Sequence, residues 1–179
     1  VLGLPDLYAT DGSSSFTPNQ FELMDIGPYL NHGNTPPYMS VYDRACLKWI
    51  NPRELNVGET VVLKSFKDVV SESDDEALLI TTISENEYYL LENRQQRGWD
   101  TYIPAHGMLV WHIDYDPQIW KENRVNSISR SQHLRVDIVE ADGIADQSTM
   151  NGDPFPGVNG VTSFTDNTAL PSDRLLGAH

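Results

Sequence analysis

The sequence predicts an α+β chain, a short helical part followed by a β-rich part, and three observations carry that expectation. Apolar residues recur at helical spacing over residues 38–49, giving one apolar face. From Asn56 onward the apolar runs are short, rich in Val, Ile, Leu and Tyr, and separated by turn formers. Between the two styles, Asn51-Pro52 ends the helical pattern, because a proline disfavours helical backbone in the residue before it. The expected division is therefore a helical piece over residues 1–56 and a β-rich region over 57–179 that packs on it.

In chain order, residues 1–4 read as the last turn of a helix, with Gly3 and Pro5 as stop signals. Residues 9–20 form a polar loop, 21–29 an apolar tight turn ending in Gly-Pro, and 31–37 a second loop. Ser40 is placed to cap the following helix, and Asp43 stands where a capping box wants a carboxylate. Tyr38, Tyr42, Ala45, Cys46 and Trp49 make its apolar face. Extended runs follow at 60–66, 77–83, 87–93, 108–115 and 134–139, interrupted by a helical turn over 117–123. Beyond Ala141 the chain is rich in Asp, Gly, Pro and Asn and reads as long loops, with one more strand near 162–164.

Composition excludes several function classes. The 26 acidic residues outnumber 12 Lys and Arg, for a formal net charge of -14. Phosphate backbones are held by Lys and Arg, so nucleic acid is not an expected partner. The acidic excess fits solubility and cation binding at carboxylate clusters. No run of about 18 apolar residues is present, so no membrane span is expected. The chain opens with Val1, not Met, inside a motif, so the lack of a leader says nothing of export. The single cysteine, Cys46, rules out an internal disulfide framework and a cysteine-based zinc knuckle. Its apolar surroundings in sequence predict a buried, inert thiol.

The chemistry points to the segment Leu2-Gly3-Leu4-Pro5-Asp6-Leu7-Tyr8. In zinc peptidases built on His-Glu-x-x-His, two histidines one helical turn apart face one metal. A glycine then lets the backbone leave the helix, and a third ligand, His or Asp, follows three residues later. Gly3 and Asp6 have that spacing, which places the second His of such a pattern immediately before Val1. The plainer alternative is a helix stop followed by an ordinary turn. Met24, 18 residues after Asp6, suits a methionine turn whose polarizable thioether floors the metal site, or equally an ordinary core methionine.

Seven segments in consistent order carry a family likeness: LGLPDLY at 2–8, FELMDIGPY at 21–29, TPPYMSVYDRACLKWI at 35–50, YYLLENRQ at 88–95, GMLVWHIDYD at 107–116, VDIVEADG at 136–143 and GDPFPG at 152–157. Through them the chain resembles the immune-inhibitor-A-like secreted metallopeptidases of bacteria, over most of its length. The resemblance implies a zinc endopeptidase acting on protein or peptide substrates, secreted or at the cell surface. It implies Asp6 as third zinc ligand, Gly3 as the turn residue and Met24 as the turn beneath the metal. It also implies a Glu general base acting on a zinc-bound water whose pKa the metal lowers to about 7. That Glu and the two His ligands are not here: none of His32, His106, His112, His133 and His179 belongs to a His-Glu-x-x-His. The 179 residues alone are thus expected to be inactive and to hold zinc poorly. Some related peptidases place an oxyanion-stabilising tyrosine two residues past the methionine. Ile26 stands there, and Tyr29 is the nearest candidate.

Other groups of residues also have the chemistry of a site. His112 and Asp114 share a strand face and could bind a metal, but a polar face opposite Trp111 and Ile113 is the simpler expectation. Asp142, Asp146, Asn151 and Asp153 crowd a Gly-rich loop whose oxygen donors suit calcium, although the spacing is not that of an EF-hand. Residues 71–76 (SESDDE) read as a solvated turn. Trp99, Tyr102, Trp111 and Trp120 could form a binding platform, but strand aromatics more often fill a core. The alternative class is a noncatalytic β-rich binding module, or a calcium-stabilised module, of an exported protein.

Overall fold

The computed structural model describes residues 2–13, 16–71, 75–131 and 133–165. It is a mixed α/β structure with a six-stranded sheet and few helices, compatible with the α+β expectation. The strands are β1 (Arg53–Glu54), β2 (Leu78–Thr81), β3 (Glu87–Arg94), β4 (Gly107–Asp114), β5 (Val136–Ile138) and β6 (Phe155–Pro156). They lie in the order β1-β2-β3-β4-β5, and β6 pairs with the start of β4. Only β1 and β2 run parallel; the remaining pairs are antiparallel. β3 and β4 form the backbone of the sheet, with eight opposed residue pairs from Glu87↔Asp114 to Arg94↔Gly107.

Alternation along the strands gives the sheet two apolar faces. Leu90, Leu109, Trp111, Ile113, Val136 and Ile138 point to one face and meet Leu7, Phe21, Leu30, Val41 and Tyr42. Leu78, Leu91, Val110 and Val139 point to the other, under Phe155, Leu55, Val61 and Leu63. The first core is shared by residues from both sides of Asn56, so the early segment forms one layer on the sheet.

The helical content differs from expectation. Residues 2–3 form a turn, not the end of a helix, with Leu2 at φ 55° and Gly3 at φ 85°. The rest of the early segment is short 3-10 turns, Asn19–Phe21 and Gly27–Gly33, and one helix, α1 (Val41–Cys46). Gly27 sits where any side chain would strike the Glu22 carbonyl, which is why the turn requires glycine. Ser40 caps α1 as expected, its Oγ accepting from Asp43 N–H at 3.1 Å. The other half of the capping box is not made, because the Asp43 carboxyl turns into the interior. α1 also ends before Asn51-Pro52. Lys48 takes a left-handed conformation (φ 58°), and Trp49 N–H closes onto the Arg44 carbonyl at 2.9 Å, a Schellman-type stop. Trp49 is consequently left exposed instead of on the buried face.

Of the five extended runs, residues 60–66 do not form a strand. Leu63 makes a single bridge with Asp75, and the place beside β2 is already taken by β1. Residues 162–164 likewise form no strand; Phe164 packs its ring against Tyr89 at 5.5 Å. The helical turn near 117 is α2 (Pro117–Lys121), capped by the Asp116 carboxylate on Gln118 and Ile119 N–H. A one-turn helix, α3 (Ile128–Ser131), precedes β5.

Candidate functional site

Asp6 lies half-buried in a docked segment. Leu4 and Leu7 enter the core, and Leu7 N–H donates to the Met24 carbonyl at 2.9 Å. Buried Asn126 uses every polar group it has. Its Nδ2 donates to the Leu7 and Val136 carbonyls at 2.8 and 2.7 Å, and its Oδ1 accepts from Arg135 and Val136 N–H. One side chain thereby ties the Asp6 segment to β5. Asn123 then orients Asp6 itself. Asp6 N–H donates to Asn123 Oδ1 at 2.8 Å, and Asn123 Nδ2 donates to Asp6 Oδ2 at 2.7 Å. Tyr8 Oη also donates to Oδ2, at 3.3 Å, and Oδ1 accepts no hydrogen bond from the described residues.

The carboxylate faces an open cleft of about 440 Å3 walled by Gly3, Leu4, Pro5, Trp120 and Asn123. The negative charge of Asp6 pushes the Tyr8 hydroxyl upward, with smaller contributions from burial, Tyr29 and Asp25. Tyr29 thus shares the neighbourhood of Asp6 through Tyr8, and it is three-quarters exposed. Met24 is half-buried against the main core directly behind the segment. Gly3, at its left-handed φ, turns the chain into the cleft wall. Nothing in the one-dimensional pattern pointed to Asn123 or Asn126. They lie 117 and 119 residues from their partners, and no local spacing announces a contact of that range.

Beneath Met24 the interior is charged. Arg94, fully buried, holds Asp100 bidentately at 2.7 and 2.5 Å and reaches Glu92 at 3.2 Å and the Tyr38 carbonyl at 3.1 Å. Glu92 also accepts from Trp111 Nε1 at 3.0 Å, Val41 N–H at 3.0 Å and Arg44 at 3.5 Å. Each of these charges is answered, as a buried ion network requires. Glu22 and Asp43 are different. Met24 N–H donates to Glu22 Oε1, but neither oxygen of Asp43 meets an N–H or O–H donor. The two buried carboxyls interact with each other. Burial raises both, and for Asp43 the neighbouring Glu22 charge raises it further. Two carboxyl groups in contact share one proton, since only a protonated member can donate. Asp25, half an element away, is also raised by burial, and its Oδ2 accepts from Asn19 N–H.

Of the remaining sequence candidates, His112 and Asp114 take separate partners, while the Asp142 carboxylate is brought against Gly152, between Asn151 and Asp153. His112 Nε2 pairs with Glu87 at 2.8 Å, while Asp114 engages His133 at 2.6 Å and Arg135 at 2.8 Å. The two share a strand face but bind separate partners, with Trp111 and Ile113 buried opposite. Asp142 Oδ1 accepts from Ile144 N–H, and Asp146 Oδ1 closes a turn on Ser148. Asp153 is buried and Asn151 exposed. Among the described residues, no three His, Cys, Asp or Glu side chains gather as a metal-binding group. Asp6 is therefore a single carboxylate where a catalytic zinc wants three protein ligands. The residues present do not by themselves fit that ion, and no hydrolytic step is assigned to them.

Cys46 corrects the expectation of a buried thiol. The residue is exposed, because α1 stops there and its last turn opens onto a groove. The groove walls still desolvate the thiol and raise it; Tyr42 opposes that shift by hydrogen bonding, and the Asp43 and Glu22 charges add to it. Among the described residues no helix is long and apolar enough to cross a membrane. Comparison of the chain with protein-family models, with characterised proteins and with solved structures gives no match.

Proposed function

We propose that this chain is part of a secreted bacterial zinc metalloendopeptidase of the immune-inhibitor-A-like kind, with Asp6 as one of the metal ligands. The support is the ordered resemblance of seven segments together with one observation. Asp6 is held by its neighbour Asn123 at a cleft wall with one carboxylate oxygen unbonded. A ligand carboxylate oriented by a hydrogen-bonding neighbour is the usual construction of a metal site. The Met24 carbonyl accepts from Leu7 N–H, next to Asp6 in the chain, while the Met24 side chain packs on the main core. The two His ligands and the Glu base would come from polypeptide outside these 179 residues, and the substrate would be a protein or peptide.

Two measurements test the reading. The natural coding sequence immediately upstream of Val1 is expected to encode His-Glu-x-x-His; any other residues there remove the zinc assignment. Casein hydrolysis by the longest natural polypeptide containing this sequence is expected to stop on treatment with 1,10-phenanthroline. Hydrolysis that survives the chelator removes the metal assignment, and its absence from the untreated polypeptide favours the noncatalytic binding module instead.

A further inference from the structure

A second cleft lies away from Asp6, between α1 and the β2–β3 hairpin. Its volume is about 520 Å3, within the range of about 300–1,000 Å3 typical of small-ligand sites. Leu79, Leu90 and the ring of Tyr88 give it an apolar floor, and Tyr42 and Cys46 form the α1 wall. A smaller space of about 320 Å3 adjoins it, sharing Tyr42, Cys46, Tyr88 and Glu85 and adding Tyr115 and Trp120. The aromatic wall is braced. Trp120 Nε1 donates to Tyr42 Oη at 2.8 Å, and Tyr115 and Trp120 meet edge to face at 5.0 Å.

The charges around this cleft are all of one sign. No Lys, Arg or His lines either space, whereas Glu85 and Glu87 both do. Glu87 is occupied by His112, but Glu85 is exposed and makes no hydrogen bond or ion pair with the described residues. Burial keeps the Tyr88 hydroxyl neutral, pushed up to about 12, and Tyr42 is raised in the same way. Their rings accordingly remain neutral π surfaces at any physiological pH. A cation set against tyrosine faces in a partly desolvated cleft is attracted by the ring quadrupoles. An anion would meet carboxylates and no counter-charge.

We infer that the cleft between α1 and the β2–β3 hairpin binds a small organic cation, an ammonium or guanidinium on an apolar stem. The stem lies on Leu79, the charged head lies against the partly exposed ring of Tyr88, and exposed Glu85 supplies the counter-charge. This site is separate from Asp6 and does not depend on any metal.

Cys46 is the only cysteine in the sequence and lines both spaces, so its alkylation reports occupancy of this one place. The rate of N-ethylmaleimide labelling of the intact chain is measured with 4-phenylbutylamine, with its uncharged isostere 4-phenyl-1-butanol, and with the peptide Ac-Ala-Lys-Ala-NH2. The amine at millimolar concentration is expected to slow labelling at least threefold, the alcohol not at all, and E85Q to remove the amine's effect. E85Q alters an exposed side chain without structural partners, so the variant should fold. No protection by the amine overturns the proposal, and so does equal protection by the alcohol or an unchanged effect in E85Q. Protection by the lysine peptide with none by the free amine also overturns it, and would mark the cleft as a peptide site.

Discussion

Arg94 and Asp6 sit in two regions that handle charge in opposite ways. The Arg94 region is closed: every carboxylate there has two or more donors, all of them buried. The Asp6 region is open. One oxygen is held by Asn123 and Tyr8, the other accepts no hydrogen bond from the described residues, and the residue lines the cleft. A saturated interior network fixes the fold and has no valence left for chemistry, whereas a carboxylate oriented but unsaturated is available to a ligand. The Glu22–Asp43 pair is intermediate, being buried like the first region and undersupplied with donors like the second.

The largest expected effect comes from breaking the closed region. Arg94→Met leaves Asp100 buried without its counter-ion and Glu92 with only the longer contact to Arg44, and should cost about 3–5 kcal/mol, read by chemical denaturation. Adding Asp100→Asn and Glu92→Gln should return much of it. Next is Asn126→Ala, which strands two carbonyls and two N–H groups between the Asp6 segment and β5. A loss of about 1–3 kcal/mol is expected, with faster amide exchange over residues 4–13. If exchange there is unchanged, the tie between the two segments is not what holds the Asp6 wall.

The acid pair predicts a pH dependence of definite sign. Above about pH 4 an unfolded carboxyl has released its proton, while the folded pair keeps one because its pKa is raised. The folded state then binds more protons than the unfolded state, so stability falls as pH rises from mildly acid toward alkaline. Asp114, lowered first by its hydrogen bond to His133, works oppositely and loses its contribution only on strong acidification. Asp43→Asn supplies an N–H donor to Glu22 without a proton. The variant should flatten the fall in melting temperature between pH 5 and 8 and gain roughly 2–4 °C at pH 8, equivalent to about 1 kcal/mol at this chain length. An equally steep profile in the variant would mean that the pair does not hold the proton. The smallest effect is Asn123→Gly, below about 1 kcal/mol in stability because the bonds to Asp6 are exposed and glycine keeps the left-handed backbone of Asn123 (φ 54°) without strain. Its consequence is expected in metal affinity instead, about 10–100-fold weaker in a polypeptide with the complete ligand set.

The sheet was largely legible in the sequence because period-two alternation over residues 87–93 and 108–115 places Leu90, Leu109, Trp111 and Ile113 on one face. The short α2 was legible through Asp116-Pro117, and the start of α1 through Ser40. The end of α1 was not. Lys48 adopts a left-handed conformation that few non-glycine residues take, and this moved Trp49 and Cys46 to the surface. Residues 60–66 have the composition of a strand and lack a free sheet edge, a fact of topology that no local pattern contains. At the candidate site, spacing alone singles out Asp6 and Gly3. The asparagines that hold Asp6 and Leu7, and the acid pair beneath Met24, depend on contacts between residues far apart in sequence.

The central claim, that Asp6 is a metal ligand, is tested most directly by the zinc content of the longest natural polypeptide containing this sequence. Elemental analysis would be run on it and on its Asp6→Ala variant, with folding of both checked by circular dichroism. One zinc per chain in the natural protein, and its loss in the folded variant, is the predicted result. A natural protein without zinc, or a variant that retains it, would contradict the assignment.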